Sequence, residues 1–266
     1  YTTLFRSSSG SGKSVFMQNF VNQEFESGAL VRIVDEGGSY KKLCELLDGQ
    51  YIEFTKHSNL CLNPFTNVQD IDDELEQLAI LLKQMAAPNE DFDSFLKSSL
   101  TAAIKSTFDQ NGTNTTIDHI AEYLRLQEDK RLQDLARQLY QFTSSGQFGK
   151  WFNGVNNLNL NKQLVVLELE ALKPTPHLKT VVMMMLLSRI QFDMMFNREY
   201  KRKYAIFEEV TSYLKDPIVA TFIADFYARL RKYDAGTWLV TQSMSSIKNT
   251  PAIDDMINNS STRIYL

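Results

Sequence analysis

The spacing of apolar residues changes period twice along this chain, and that change limits the folds open to it more than any other feature. Up to residue 69, short apolar runs alternate with stretches of helical spacing. TTLF (2–5) is followed by a helix over 13–25 with Phe16, Phe20 and Val21 on one face, then by LVRIVD (30–35), YIEF (51–54) and LCLN (60–63), where Pro64 ends the run. From 70 to about 142 the period is 3.6. Ile71, Leu75, Leu78, Leu82 and Met85 share one face; Phe92, Phe95, Leu100, Ile104 and Phe108 share a second; Leu132, Leu135, Leu139 and Phe142 share a third, with Pro88, Asn111 and Gly112 as breaks. A loop rich in glycine and asparagine, SSGQFGKWFNGVNN (144–157), closes this block and carries Phe148, Trp151 and Phe152. The first rhythm then returns in LVVLELE (164–170), a Met-rich helix over 176–197, YAIFEE (204–209), a helix over 217–232 and TWLVTQ (237–242).

Strands joined by crossover helices form a parallel sheet, so the expected fold is α/β, with a parallel central sheet flanked by helices. Its two halves occupy 1–69 and 161–266, and an all-helical insertion fills 70–160. With 266 residues, 43% of them hydrophobic, the chain can bury a sizeable core. A net charge of −4 argues against a surface built wholly to hold nucleic acid. The longest strictly apolar run, VVMMMLL (181–187), is far below the roughly 18 residues of a membrane-spanning helix, so any membrane association is expected to be peripheral. Cys44 and Cys61 make at most one bridge and match no metal spacing, and His57, His119 and His177 are scattered; a reduced, cytosolic compartment fits. A start without methionine and a stop inside RIYL read as a piece of something longer.

Between the first strand and the first helix lies FRSSSGSGKS (5–14). It matches the phosphate-binding pattern G-x-x-x-x-G-K-[ST] at Gly12, Lys13 and Ser14, with Ser7 where the first glycine is expected. A turn of small residues that opens a helix aims its backbone N–H groups at one point, and the helix dipole adds positive potential there. The amides of Ser9, Gly10, Ser11, Gly12, Lys13, Ser14 and Val15 are the expected phosphate cradle for ATP. Lys13 is expected to bridge the β and γ phosphates and Ser14 to hold Mg²⁺. Serine at position 7 costs on the order of 1 kcal/mol if the backbone there needs positive φ, which weakens such a loop without abolishing it. The plainer alternative is a flexible serine-glycine turn ahead of a lysine.

A phosphate loop needs an acid at the end of a neighbouring strand to fix the metal, and a base to orient water. YAIFEEV supplies Glu208 and Glu209. Glu208 stands where aspartate is usual and is one methylene longer; the plainer reading of the pair is a solvated loop start.

These residues resemble the conjugative-transfer ATPases of type IV secretion systems, in particular the TraC type. The resemblance runs over nearly the whole chain. It is carried by SGSGKSVFMQN, VDEGGSYKKLCELLDGQYIEFT with LCLNPFT, SSGQFGKWFNG, VVLELEAL, RLRKYDAGTWLVTQS and NTPAIDDMINNSSTRIYL. It implies a RecA-like P-loop NTPase motor with a helical insertion, ATP and Mg²⁺ as cofactors, and a catalytic set of Lys13, Glu208, Glu209 and Gln242. Gln242 matches the polar sensor that feels the γ-phosphate, and Ser14 and Glu208 match the metal ligands. It also implies a homo-oligomer, a hexameric ring when assembled, with other secretion-machine subunits as partners. The expected place is cytoplasmic, peripheral at the inner membrane.

A ring motor commonly completes its site with an arginine from the next subunit, and Arg229, Arg231 and Arg263 are candidates; a basic residue at a helix carboxyl end is also favoured simply by the dipole. REYKRKY (198–204) could touch nucleic acid or anionic lipid, though the dipole and a solvated surface account for it. The methionines Met183, Met184, Met185, Met194 and Met195 read as packing of a helix against the sheet rather than a partner surface. Three functional readings stay open: an ATPase motor powering secretion, a nucleotide-binding structural module in which Ser7 and Glu208 have blunted hydrolysis, and a ring motor that threads DNA.

Overall fold

The computed structural model describes residues 2–6, 12–55, 57–210, 213–214, 217–233, 235–241 and 262–265. Its strands are β1 (Thr2–Arg6), β2 (Leu30–Asp35), β3 (Gln50–Glu53), β4 (Leu164–Glu168), β5 (Lys203–Phe207), β6 (Ala235–Thr241) and β7 (Thr262–Tyr265). Its helices are α1 (Lys13–Glu26), α2 (Lys41–Leu46), α3 (Ile71–Ala86), α4 (Ser94–Asn111), α5 (Ile117–Arg125), α6 (Lys130–Gln138), α7 (Pro176–Phe196) and α8 (Pro217–Leu230). The chain divides into two compact units, one made of Tyr1–Lys56 with Leu160–Leu266 and the other of His57–Asn159.

The first unit is a seven-stranded sheet in the order β3-β4-β2-β5-β6-β1-β7, with every pair parallel. β2, β4 and β6 are buried at every residue, as a parallel sheet covered on both faces requires. On one face Met17 and Val21 of α1 and Cys44 of α2 join Val31, Ile33, Val166, Ile206 and Val240 in a single apolar cluster. On the other, Phe226 of α8 meets Phe207 of β5 edge-on, ring centroids 5.3 Å apart. Met183, Met184 and Met194 of α7 are buried, so the Met-rich helix packs as core. Lys203, at the end of the basic strip, is buried and donates to the Met194 carbonyl in the last turn of α7 at 2.7 Å, and Arg202 pairs with Glu24 at 3.3 Å.

The second unit is helical, with Asp70, Asp93 and Asp129 accepting from first-turn amides of α3, α4 and α6, and Thr116 and His119 forming a capping box on α5. Phe142, Phe148 and Phe152 pack together with centroids 5.4 Å apart, and Trp151 is buried.

The expectation of a strand at 60–63 is corrected. Its polar groups are taken up by the 144–157 loop and its surroundings rather than by a sheet: Leu62 donates to the Trp151 carbonyl, Cys61 to the Asn157 side chain, and the Asn63 amide to the Thr115 and Gly154 carbonyls. Phe16 is 37% exposed, yet its ring stacks on Phe5 at 5.2 Å and, like that of Phe20, meets Trp238, so the expected face of α1 packs on the sheet, with Met17 adding a buried position. The strand at LVVLELE stops at Glu168. Three elements, α2, α5 and β7, were not separable in the sequence, being four to nine residues long and below the length at which periodicity shows.

Candidate functional site

Parallel strands point their carboxyl ends the same way, so the residues that follow β1, β2, β4, β5 and β6 collect along one edge of the sheet, where α/β proteins bind ligands. α1 starts at that edge. Gly12 is its N-cap, with φ 90°, a left-handed backbone that favours glycine, and the helix begins without a side-chain cap. A Cβ at Gly12 would meet nothing within 4 Å, so the glycine serves the turn rather than a tight contact.

Lys13, the first residue of the helix, brings its ammonium to the end of β5, 3.2 Å from Glu208 Oε2 and 2.8 Å from Glu209 Oε1. Residues 195 and 196 positions apart in sequence thus meet in one ion cluster. β5 and β1 are separated by β6 alone, so the helix start and the acids lie on the same stretch of that edge. Burial works against the Lys13 charge, but the Glu208 charge and the hydrogen bonds that the ammonium donates to both carboxylates outweigh it and hold it above the ordinary lysine value. Glu208 is buried, its N–H still bonded to the Val34 carbonyl, while Glu209 has turned into the left-handed region at φ 48°. Such a backbone in a residue other than glycine is strained, and strain of this kind is typical of functional sites.

Behind the pair lies a layer that the sequence reading did not assign. Asp35 and Glu168 end β2 and β4 in register, and both are buried. Glu168 accepts from the amides of Gly37, Gly38 and Glu170 and from the Tyr51 hydroxyl at 2.7 to 3.1 Å. Asp35 Oδ1 accepts from the Glu36 amide at 2.9 Å, whereas its Oδ2 is buried without a hydrogen-bond partner at normal distance among the described residues. Burial, and then the charges of Glu168 and Glu208, push the Asp35 carboxyl up to about 7. Tyr40 donates to Glu208 Oε1 at 2.5 Å. The available signal was an acid at the carboxyl end of each apolar run, in VVLELE and in VRIVDEGG.

Of the assigned residues, Gly12, Lys13, Ser14 and Val15 stand together at the start of α1, with Ser14 and Val15 exposed, and Lys13 meets Glu208 and Glu209. Ser7, Ser9, Gly10, Ser11 and Gln242 lie outside the described residues, as do the side chains of Arg231 and Arg263. Arg229 is exposed in the last turn of α8. Among the described residues no three His, Cys, Asp or Glu side chains gather as a metal cage. A hydroxyl and a single carboxylate suit Mg²⁺, which keeps several waters and takes further oxygens from phosphates. Nor is any helix of the described residues long and apolar enough to cross a membrane.

Comparison with known proteins adds to this geometry. Protein TraC of Escherichia coli (strain K12) is 28% identical over 283 residues, which cover 100% of this chain and 32% of TraC. The type IV secretion system protein CagE of Helicobacter pylori is 25% identical over 301 residues, 99% of this chain and 30% of CagE. The chain therefore spans about three tenths of the length of these curated relatives. Among solved structures, VirB4 of Thermoanaerobacter pseudethanolicus superposes with a TM-score of 0.85 at 17% identity, over 100% of this chain and 76% of that one. The plasmid coupling protein TrwB in complex with ADP and Mg²⁺ gives 0.66 at 13% identity, over 97% and 67%. At those identities the likeness establishes the fold alone. The model of the TraG P-loop domain matches residues 2–266, and the chain belongs to that family.

Proposed function

We propose that this chain is the ATP-hydrolysing motor domain of a conjugative type IV secretion ATPase, energising machine assembly, pilus formation or substrate transfer. The observation that carries the reading is the junction of Lys13, at the start of α1, with Glu208 and Glu209 at the end of β5. A lysine held by two carboxylates at a helix N-terminus is a cation that an anionic ligand can take over, because phosphate oxygens offer it the same charge-assisted contacts. The sheet unit is the motor and the helical unit, His57–Asn159, its insertion.

In this reading the amides of 9–15 and the Lys13 ammonium bind the phosphates of ATP, and the transfer of Lys13 from carboxylate to phosphate frees Glu208 and Glu209. The Ser14 hydroxyl and the Glu208 carboxylate hold Mg²⁺, which when bound neutralises charge on the phosphate oxygens. Glu209 orients water and accepts its proton, and Gln242 senses the γ-phosphate. An arginine of a neighbouring subunit in a ring, Arg229, Arg231 or Arg263, completes the site. The partners are other subunits of the secretion machine, at the cytoplasmic face of the inner membrane.

Phosphate release by the full-length protein tests the assignment. Lys13→Ala should lower turnover by about a thousandfold, the scale on which a cation at a transferring phosphoryl group acts. Turnover unchanged by that substitution would reject the assignment. Nucleotide bound tightly with no phosphate released by the unaltered protein would instead identify a structural module.

A further inference from the structure

The segment between β2 and α2 is fixed from three sides. The Asp35 carboxylate accepts from the Glu36 amide, Glu168 accepts from the Gly37 and Gly38 amides, and the Gln18 side chain of α1 donates to the Ser39 carbonyl at 2.7 Å. Gly37 and Gly38 have φ of 126° and 69°, conformations that let two successive amides face one carboxylate. What this arrangement delivers is Tyr40, 1% exposed, with its hydroxyl 2.5 Å from Glu208 Oε1. In this contact the hydroxyl is the donor and the carboxylate oxygen the acceptor.

Glu208 therefore has two described side-chain partners, and they differ in kind. Oε2 meets Lys13, which the proposed function requires to turn toward phosphate; Oε1 meets Tyr40, whose place is set by loop, strand and helix together. We propose that Tyr40 is the positioning residue of the acid, keeping the Glu208 carboxylate aimed at the nucleotide site when Lys13 leaves it. A charge-assisted hydrogen bond in a buried setting is strong enough for that task, and a carboxylate one methylene longer than aspartate has an extra rotor to restrain. This inference rests on the ATPase reading.

The experiment is Tyr40→Phe in the full-length protein, which keeps the buried ring and removes only the hydroxyl. We expect kcat to fall at least about tenfold, the effect of losing one hydrogen bond to a charged group, with KM for ATP and the equilibrium affinity for a non-hydrolysable ATP analogue within about twofold of the unaltered protein. In a Glu208→Ala background the same substitution should cost nothing further, because a residue acting through Glu208 has no effect once Glu208 is gone. An unchanged kcat overturns the inference, as does an equal loss in both backgrounds or a loss of analogue affinity together with kcat. A Tyr40→Phe protein that fails to fold also overturns it, since the hydroxyl would then be needed for the fold itself and not for aiming Glu208. Absence of phosphate release by the unaltered protein removes the ATPase reading itself, an outcome separate from any difference between variants.

Discussion

Arg32 and Lys13, one buried and one part-buried cation of the sheet unit, are built for opposite purposes. Arg32, in the middle of β2, has a fully buried side chain and fixed partners for each of its nitrogens. Nε donates to Asp193 of α7 at 2.8 Å, Nη1 to the carbonyls of Val31, Lys162 and Gln163, and Nη2 to that of Leu160. Burial, only partly offset by Asp193, draws the guanidinium below its usual value, yet an arginine stays charged in a protein. Lys13 meets two carboxylates at the rim of the sheet and its side chain keeps 13% exposure, enough for a ligand to reach. The first cation is bound by carbonyls that cannot leave; the second by side chains that can. A cation held by the backbone fixes a fold, and one held by side chains at an edge can be exchanged.

The contrast is broken or sharpened first at Arg32, where the largest effect on stability is expected. Arg32→Leu should destabilise the protein by about 3–5 kcal/mol in chemical denaturation, since it leaves Asp193 and four carbonyls without their donor. Adding Asp193→Leu should recover part of that loss by removing the stranded charge. A cost below 1 kcal/mol would mean that the carbonyls find water, and the description of Arg32 as a structural cation would fail.

Lys13→Ala, by the same measurement and without nucleotide, should cost only about 1–2 kcal/mol, because Glu208 retains Tyr40 and Glu209 is part-exposed to water. Its large effect belongs to turnover. A stability loss equal to that of Arg32→Leu would erase the distinction between the two cations.

The same contrast explains what the sequence could and could not reveal. Lys13, Ser14, Glu208 and Glu209 were legible because each sits at a fixed offset from an apolar run, and the end of a parallel strand is where such a fold exposes its chemistry. The continuous apolar runs of β2, β4 and β6 showed the sheet for the same reason. Arg32 was hidden inside such a run: LVRIVD reads as a strand whether or not the arginine finds five acceptors, and four of those are carbonyls, which leave no mark in side-chain identity. Tyr40, Asp35 and Glu168 were hidden in another way. Their roles come from the strand order β4-β2-β5, which places residues 168, 35 and 208 side by side, and no local pattern encodes that order. LCLN failed as a strand because its partners were loop groups nearly a hundred residues away.

The smallest expected effect per unit of change tests the acid on the same strand as Arg32. Asp35 lies three residues further along β2, so its side chain emerges on the opposite face. One of its oxygens has no hydrogen-bond partner among the described residues, and the carboxyl is pushed from 3.8 up to about 7. Between those values the folded protein holds a proton that the unfolded chain has already released. Stability should therefore fall as pH rises from about 4 to about 7, by about 1 kcal/mol per pH unit from this group, with no further loss above the folded value. Asp35→Asn keeps the shape and cannot ionise. Without nucleotide or metal, it should match the unaltered protein near pH 4 and become progressively more stable than it toward pH 8. Arg32→Leu should lower stability by a similar amount at every pH in that window, because a guanidinium does not titrate there. Parallel pH curves for the unaltered protein and Asp35→Asn would show that Asp35 is charged throughout, and that the space between Glu168 and Glu208 is more polar than its burial implies.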